Sequence, residues 1–351
     1  MKGYILLADG FRLDGEIVGP GKAAIAWLVA NTSVVGFQEM VTDPAYKGTI
    51  LTFTYPEVGN VGVAAGSSEG GTVQVEGLVV KVLSEYWSHY MAEGAFGDML
   101  LKAEVPCLTG IDTRALAVRL RDAGEMPAVI APEDSDAEAL KRALAVRERP
   151  EFRPSKTPAV HRSESMVRVA VLNLGARRSL IEQLSLCSAL TIFPSEAAAE
   201  EILAARPAGV VISDGPGTCL PPMEAVDTVK ELAGKVPLLG CGLGHVALGM
   251  ALKCAPLFLK RGHHGANYPV RNVVSGKVEV TQQRHTVALD RRSLVGKLGV
   301  ELLSENVNDG TVEGVRATGV SAVGFQQMLV APYPGTVNAH IKSFVDGLSG
   351  P

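Results

Sequence analysis

Over the first 145 residues the apolar positions fall in short runs separated by turn residues, the pattern of a mixed α and β region. Tyr4-Ile-Leu-Leu-Ala, Asp9-Gly10 and Phe11-Arg-Leu-Asp-Gly15 spell a hairpin closed by an Asp-Gly turn. Residues 31–46 are dense in hydroxyls and amides and contain the turn signal Asp43-Pro44. Thr49-Ile-Leu-Thr-Phe-Thr-Tyr55 alternates like a strand and runs into Pro56, with Gly59-Asn60-Val61-Gly62 as the next turn. Ile111-Asp-Thr-Arg-Ala-Leu-Ala-Val-Arg-Leu-Arg-Asp122 opens with a cap, carries a helical stripe and ends before Gly124.

Between Arg147 and Ser165 apolar residues thin out and prolines and charges accumulate, so the pattern predicts a linker there. The expected organisation is a domain over 1–146, a linker over 147–165 and a second domain over 166–351. Met166–Gly175 begins the second domain as a buried strand, followed by a helix over 177–188, a strand over 190–193, a helix over 198–205 and a strand over 209–213. Strands alternating with helices predict a doubly wound parallel sheet. Sites in such sheets lie beyond the carboxyl ends of the strands, where Ser213-Asp-Gly-Pro-Gly217 and Gly240–Gly244 fall.

The second of those loops organises the chain. In Val236-Pro-Leu-Leu-Gly-Cys-Gly-Leu-Gly-His-Val-Ala-Leu-Gly-Met250 an apolar run ends in glycines at 240, 242 and 244, and a helical pattern follows. Strand, tight turn and helix make a nucleophile elbow, in which the outer glycines avoid a clash and the middle residue carries the nucleophile on a strained backbone. The middle residue here is Gly242. The scaffold is written into the chain and its reactive group is absent.

Composition narrows the function classes. The 351 residues are 47% hydrophobic and 20% charged, with a formal net charge of −4. That balance favours neither nucleic acid nor an anionic membrane as partner. No apolar run reaches the length of a spanning helix, and the apolar start meets Asp9-Gly10 too soon for a signal peptide. The five cysteines are scattered with no C-x-x-C pair, which predicts reduced thiols in the cytoplasm, with neither a disulfide framework nor a zinc site.

The two site loops, together with Arg261-Gly-His-His-Gly-Ala-Asn267, resemble the class I glutamine amidotransferase domain. Asn31-Thr-Ser-Val-Val-Gly-Phe-Gln-Glu, Thr42-Asp-Pro-Ala-Tyr46, Thr54-Tyr-Pro-Glu-Val-Gly-Asn-Val-Gly62 and Gly110-Ile-Asp-Thr-Arg114 narrow the resemblance to the small subunit of carbamoyl phosphate synthetase. The resemblance implies an N-terminal mixed α/β small-subunit domain followed by a doubly wound amidotransferase-like domain. It also implies a chain that hydrolyses glutamine and passes ammonia to a large subunit, which makes carbamoyl phosphate from bicarbonate and two ATP. ATP and magnesium would belong to that partner, so no cofactor and no metal are expected here.

Carried over position by position, the resemblance implies a loss of that chemistry. The elbow cysteine of the family falls at Gly242, and its glutamine-contacting Gln at Val246. The family's Phe-Gln-x-His-Pro-Glu appears as Phe325-Gln-Gln-Met-Leu-Val330, which puts Met328 and Val330 where the base and its orienting carboxylate belong. The Asn-His-Gly-Phe segment appears as Arg284-His285-Thr286-Val287, with Arg284 a candidate plug for the pocket. Gly215 and Gly217, Leu243 and Ser33 are retained. Cys241 should point into packing, Cys219 has no visible base, and His245 and His263-His264 read as structural, with no carboxylate cluster in sequence beside the pair. The first reading is a glutaminase-inactive small subunit in an ammonia-dependent ligase, and the second a repurposed binding or scaffold protein; a third, a hydrolase using another nucleophile, lacks any supporting constellation.

Overall fold

The computed structural model describes residues 1–153, 165–296 and 299–348. Most of the expected linker, residues 154–164, lies outside them. The chain divides into two compact units: Met1–Pro150 with Lys260–Gly265, and Glu151–Leu259 with Ala266–Pro351.

The first unit is built on strands β1 (Lys2–Leu7), β2 (Arg12–Val18), β3 (Ala24–Asn31), β4 (Thr49–Phe53), β5 (Glu57–Val58), β6 (Gly77–Val79), β7 (Val82–Leu83), β8 (Cys107–Thr109) and β9 (Met126–Pro132). Its helices are α1 (Phe37–Val41), α2 (Phe96–Lys102), α3 (Thr113–Ala123) and α4 (Ala137–Ala145). Seven strands close into a barrel in the order β1-β2-β8-β6-β4-β3-β9, and β5 and β7 form a separate two-stranded sheet. The Asp-Gly hairpin forms as the sequence predicts, with Leu6 opposite Arg12. Strand alternation sends Ile5, Leu7, Leu28, Ile50, Leu108 and Ile130 into one core with Leu116 and Leu120 of α3. Val29, Leu51, Phe53 and Leu78 enter a second core with α1 and α2. Helix α3 starts where Asp112 accepts from the Ala115 amide and stops at Gly124, whose φ of 99° suits glycine.

The second unit carries β10 (Arg168–Asn173), β11 (Ala189–Pro194), β12 (Gly209–Ile212), β13 (Leu238–Cys241), β14 (Pro256–Asn272), β15 (Val278–Leu289), β16 (Val300–Asn306), β17 (Val312–Ala317) and β18 (Ala322–Phe325). Helices α5 (Arg178–Cys187), α6 (Ala199–Ala204), α7 (Met223–Leu232), α8 (Leu243–Ala251) and α9 (Ala339–Leu348) accompany them. The sheet order is β11-β10-β12-β13-β18-β17-β16-β14-β15. Its first five strands are parallel, as the β-α alternation predicts. Beyond β18 the sheet continues with antiparallel β17 and β16, an extension the strand-helix rhythm does not announce.

Alternation along the parallel strands covers both faces. Ala170, Leu172, Val210, Ile212 and Leu238 pack with α6, α7 and α8, while Val169, Val171, Val211 and Leu239 pack with α5 and α9. Burial on both sides explains why these strands read as continuous apolar runs.

Candidate active site

The carboxyl ends of β10, β12, β13 and β18 converge with β15 around the elbow. Gly242 caps α8 with φ 53° and ψ −112°, and its amide donates to the Phe325 carbonyl at 2.9 Å. That conformation is open to glycine and strained for any other residue. A Cβ on Gly242 would lie 3.1 Å from the Asp214 Cβ. A Cβ on Gly240 would lie 2.6 Å from the Gly244 carbonyl oxygen, and one on Gly244 would overlap the Ile212 carbonyl. The outer glycines are therefore set by backbone-to-backbone approach.

Gly244→Ala is accordingly expected to destabilise the second unit by about 2–4 kcal/mol, because the displaced neighbours are main chain that cannot swing away. Urea titration followed by circular dichroism checks this, and a midpoint within error of the native chain would contradict it.

The loop after β12 is held from both sides. Leu174 N donates to Ser213 Oγ at 2.9 Å, and the Gly244 amide donates to the Ser213 carbonyl at 3.0 Å. Gly215 leaves no room for a Cβ beneath the Leu174 carbonyl, nor does Gly217 beneath the Arg284 carbonyl. The Gly217 carbonyl accepts from the Thr286 amide at 2.7 Å, which ties the loop to β15. Arg284 is half-buried and His285 is buried.

Sequence reasoning missed the strongest charge feature here. Arg177, after β10, and Asp214, after β12, form a buried ion pair, their side chains 4% and 13% exposed. Asp214 also accepts from the Arg177 amide at 3.1 Å, and Arg177 Nη1 donates to Ser179 Oγ at 3.0 Å. The available signal was topological: both residues follow adjacent strands of the parallel sheet.

The positions at which the resemblance puts the catalytic groups lie as follows. Val246 is fully buried in an apolar cluster with Val287, Val312 and Val315. The Met328 amide donates to the Gln282 carbonyl at 3.0 Å, and its side chain is half-buried. Val330 is 37% exposed, and its carbonyl accepts from Asn338 Nδ2 at 3.0 Å.

Among the other candidates, Cys241 points into the core with Val211, Leu239 and Ile341, and burial, seconded by the Asp214 charge, pushes its thiol well up. A thiol so placed is no nucleophile. Cys219 is buried, with Sγ 3.9 Å from the Pro216 carbonyl oxygen. His245 is fully buried against Gly324, and burial pulls its pKa down to about 4, so it is neutral. In the first unit, His264 Nε2 lies 3.2 Å from Glu125 Oε1, with the ring 5.5 Å from that of Tyr46. The fold thus supplies His264 with a carboxylate that the local sequence does not display. Ser33, also in the first unit, donates its amide to Asn31 Oδ1 at 2.7 Å.

Two family models match the chain. "Carbamoyl-phosphate synthase small chain, CPSase domain" covers residues 5–130, and "Glutamine amidotransferase class-I" covers residues 170–327. A carbamoyl phosphate synthase small chain of Methanopyrus kandleri is 38% identical over 339 residues, 93% of each chain. One from Staphylococcus haemolyticus is 35% identical over 329 residues, covering 92% of this chain and 89% of the relative. This chain belongs to the carbamoyl phosphate synthase small-chain family.

The amidotransferase model spans the whole elbow, at whose apex Gly242 has no side chain. What this arrangement offers chemically is a set of main-chain groups around Gly242 and a paired, buried charge beside it. Among the described residues no helix is long and apolar enough to cross a membrane.

Proposed function

We propose that this chain is the glutaminase-inactive small subunit of a carbamoyl phosphate synthetase-type ligase. Free ammonia, bicarbonate and ATP would then be converted to carbamoyl phosphate by the large subunit for pyrimidine and arginine synthesis in the cytoplasm. The observation that carries the reading is Gly242, which holds the elbow's backbone at φ 53° and ψ −112° with no side chain to attack an amide carbonyl. Glutamine hydrolysis of this kind needs a nucleophile, a base and a group that orients the base. Gly242, Met328 and Val330 stand at those three positions, and none can take or hold a proton. Main-chain donors stabilise a developing oxyanion only after something attacks. ATP and magnesium would be bound by the large subunit, with no cofactor in this chain.

The test is to co-express the chain with the large subunit of the same genome and assay each nitrogen source separately. Carbamoyl phosphate should form from ammonia and not from glutamine, and a glutamine-analogue affinity label should leave this chain unmodified. Glutamine-supported turnover comparable to that with ammonia would overturn the inactive-glutaminase reading. A chain that binds no large subunit would leave the repurposed scaffold as the better account.

A further inference from the structure

The sheet of the second unit gathers a buried polar cluster that the elbow does not use. In β15, Gln283 and His285 are two residues apart and so share one face of the strand, and both are buried. Glu313 of β17 meets them there and is itself fully buried. A ring nitrogen of His285 and a carboxylate oxygen of Glu313 lie within 4.8 Å of each other. The two residues are far apart in sequence and belong to no motif, so the chain read as a sequence gives no sign of the cluster.

The carboxylate is held in place from several sides. Gln283 Nε2 donates to Glu313 Oε2 at 2.8 Å, and Asn306 Nδ2 donates to Glu313 Oε1 at 3.1 Å. Gln283 Nε2 also donates to Thr281 Oγ1 at 3.0 Å, which fixes the amide against the carboxylate. Ser304 pairs with Gly314, and the next residue, Glu305, pairs with Val312, so Glu313 is the extra residue of a bulge. Bulges of this kind re-aim a side chain beside functional sites. The Gln326 amide donates to the Glu313 carbonyl at 2.8 Å and anchors the bulge to the segment after β18.

The chemistry of the cluster favours a cation. Neutral amide donors do not cancel the charge of a buried carboxylate, and a buried charge is costly unless a positive one joins it. Gln283 Oε1 is buried with no hydrogen-bond partner. An imidazole nitrogen, a carboxylate oxygen and an amide oxygen form a mixed donor set that suits a first-row divalent ion. Zinc bonds such nitrogens and oxygens at about 2.0–2.2 Å, a spacing that small side-chain rotations reach from the distances seen here. The bond from Asn306 is the outer support that orients a ligating carboxylate.

We propose that His285, Glu313 and Gln283 hold a divalent first-row metal ion, with zinc as the preferred occupant, that clamps β15 to β17. Thr286, next to His285, donates its amide to the Gly217 carbonyl, so the clamp also steadies the loop after β12. The ion is structural, takes no part in ligase chemistry, and does not depend on the small-subunit reading.

The experiment strips the tag-free full chain with a chelator and titrates it with zinc chloride by calorimetry, with thermal unfolding followed by circular dichroism. The variants are His285→Gln and Glu313→Gln. The control is His89→Gln/Cys187→Ser, which removes an exposed imidazole and a half-buried thiol that could take zinc on their own. The native chain should bind one zinc ion, and its unfolding midpoint should rise with the logarithm of zinc concentration. Each ligand variant should bind about tenfold or more weakly, and the control should bind like the native chain. X-ray absorption of the zinc-loaded native chain, which needs no variant, should show oxygen and imidazole nitrogen around the ion and no sulfur. Should the variants fail to fold, that spectrum decides. No zinc bound by the native chain, folded variants that bind as tightly as it does, or sulfur in the absorption spectrum would each overturn the proposal.

Discussion

Gly242→Cys is expected to yield a less stable protein that still does not hydrolyse glutamine. The apex backbone at φ 53° and ψ −112° is strained for any residue with a Cβ, at about 1–3 kcal/mol. The added Cβ would press on the Asp214 Cβ at 3.1 Å, and Asp214 is tied to Arg177 and cannot readily yield. The new thiol would have an ordinary pKa of about 8.5, since the Asp214 carboxylate beside it is already paired with Arg177 and no base stands at 328. The departing amide nitrogen would also lack a proton donor. Glutaminase activity should stay at the level of the native chain, and the rate of iodoacetamide labelling should show no thiolate at neutral pH. Hydrolysis well above the native chain would mean that Met328 and Val330 do not occupy the base and orienter positions.

Restoring more of the motif compounds the difficulty. Val246→Gln would put an amide among Val287, Val312 and Val315, where an unsatisfied polar group costs about 1–3 kcal/mol. Val330→Glu would place its carboxylate at a site already 37% exposed. Val246, at the position the resemblance gives to the glutamine contact, lies in the core, so a variant with Gly242→Cys, Val246→Gln, Met328→His and Val330→Glu works against packing as well.

The elbow was legible in the sequence because three alternate glycines after an apolar run have one compact explanation, and Gly240 and Gly244 meet main chain where that explanation requires. Local features were legible for the same reason: Asp9-Gly10 closes its hairpin, and Asp112 and Gly124 bound α3. The barrel was not. It closes through β3 on β9 and through strands of three residues, β6 and β8, too short to show a period of two. Residues 260–265 read as part of one continuous strand, and nothing local says that they group with the first unit. The pairs Arg177–Asp214 and His264–Glu125 join residues far apart in sequence, so each partner alone reads as an ordinary polar residue.

Breaking the Arg177–Asp214 pair is expected to be the most destabilising polar change in the second unit. Both side chains are largely withdrawn from water, so removing either partner strands an uncompensated charge, and loss of one such partner costs about 3–5 kcal/mol. Asp214→Ala also removes the acceptor of the Arg177 amide, while the bond from Arg177 Nη1 to Ser179 Oγ at 3.0 Å carries no countercharge. Replacing both by apolar residues, as in Arg177→Met with Asp214→Leu, should recover much of the loss, because no charge is then left buried. Both tryptophans, Trp27 and Trp87, belong to the first unit, so their fluorescence serves as an internal control. Amide exchange along β10 and β12 reports the second unit. Salt at 0.5 M should change the effect little, in contrast to the exposed pairs, because buried charges are poorly screened. A single variant within about 1 kcal/mol of the native chain would mean that the pair is more solvated than its exposure implies. Since the Asp214 Cβ is what an apex Cβ would meet, Asp214→Gly, which removes that atom, should partly relieve the penalty of Gly242→Cys. The two substitutions would then be non-additive, as expected of residues in direct contact.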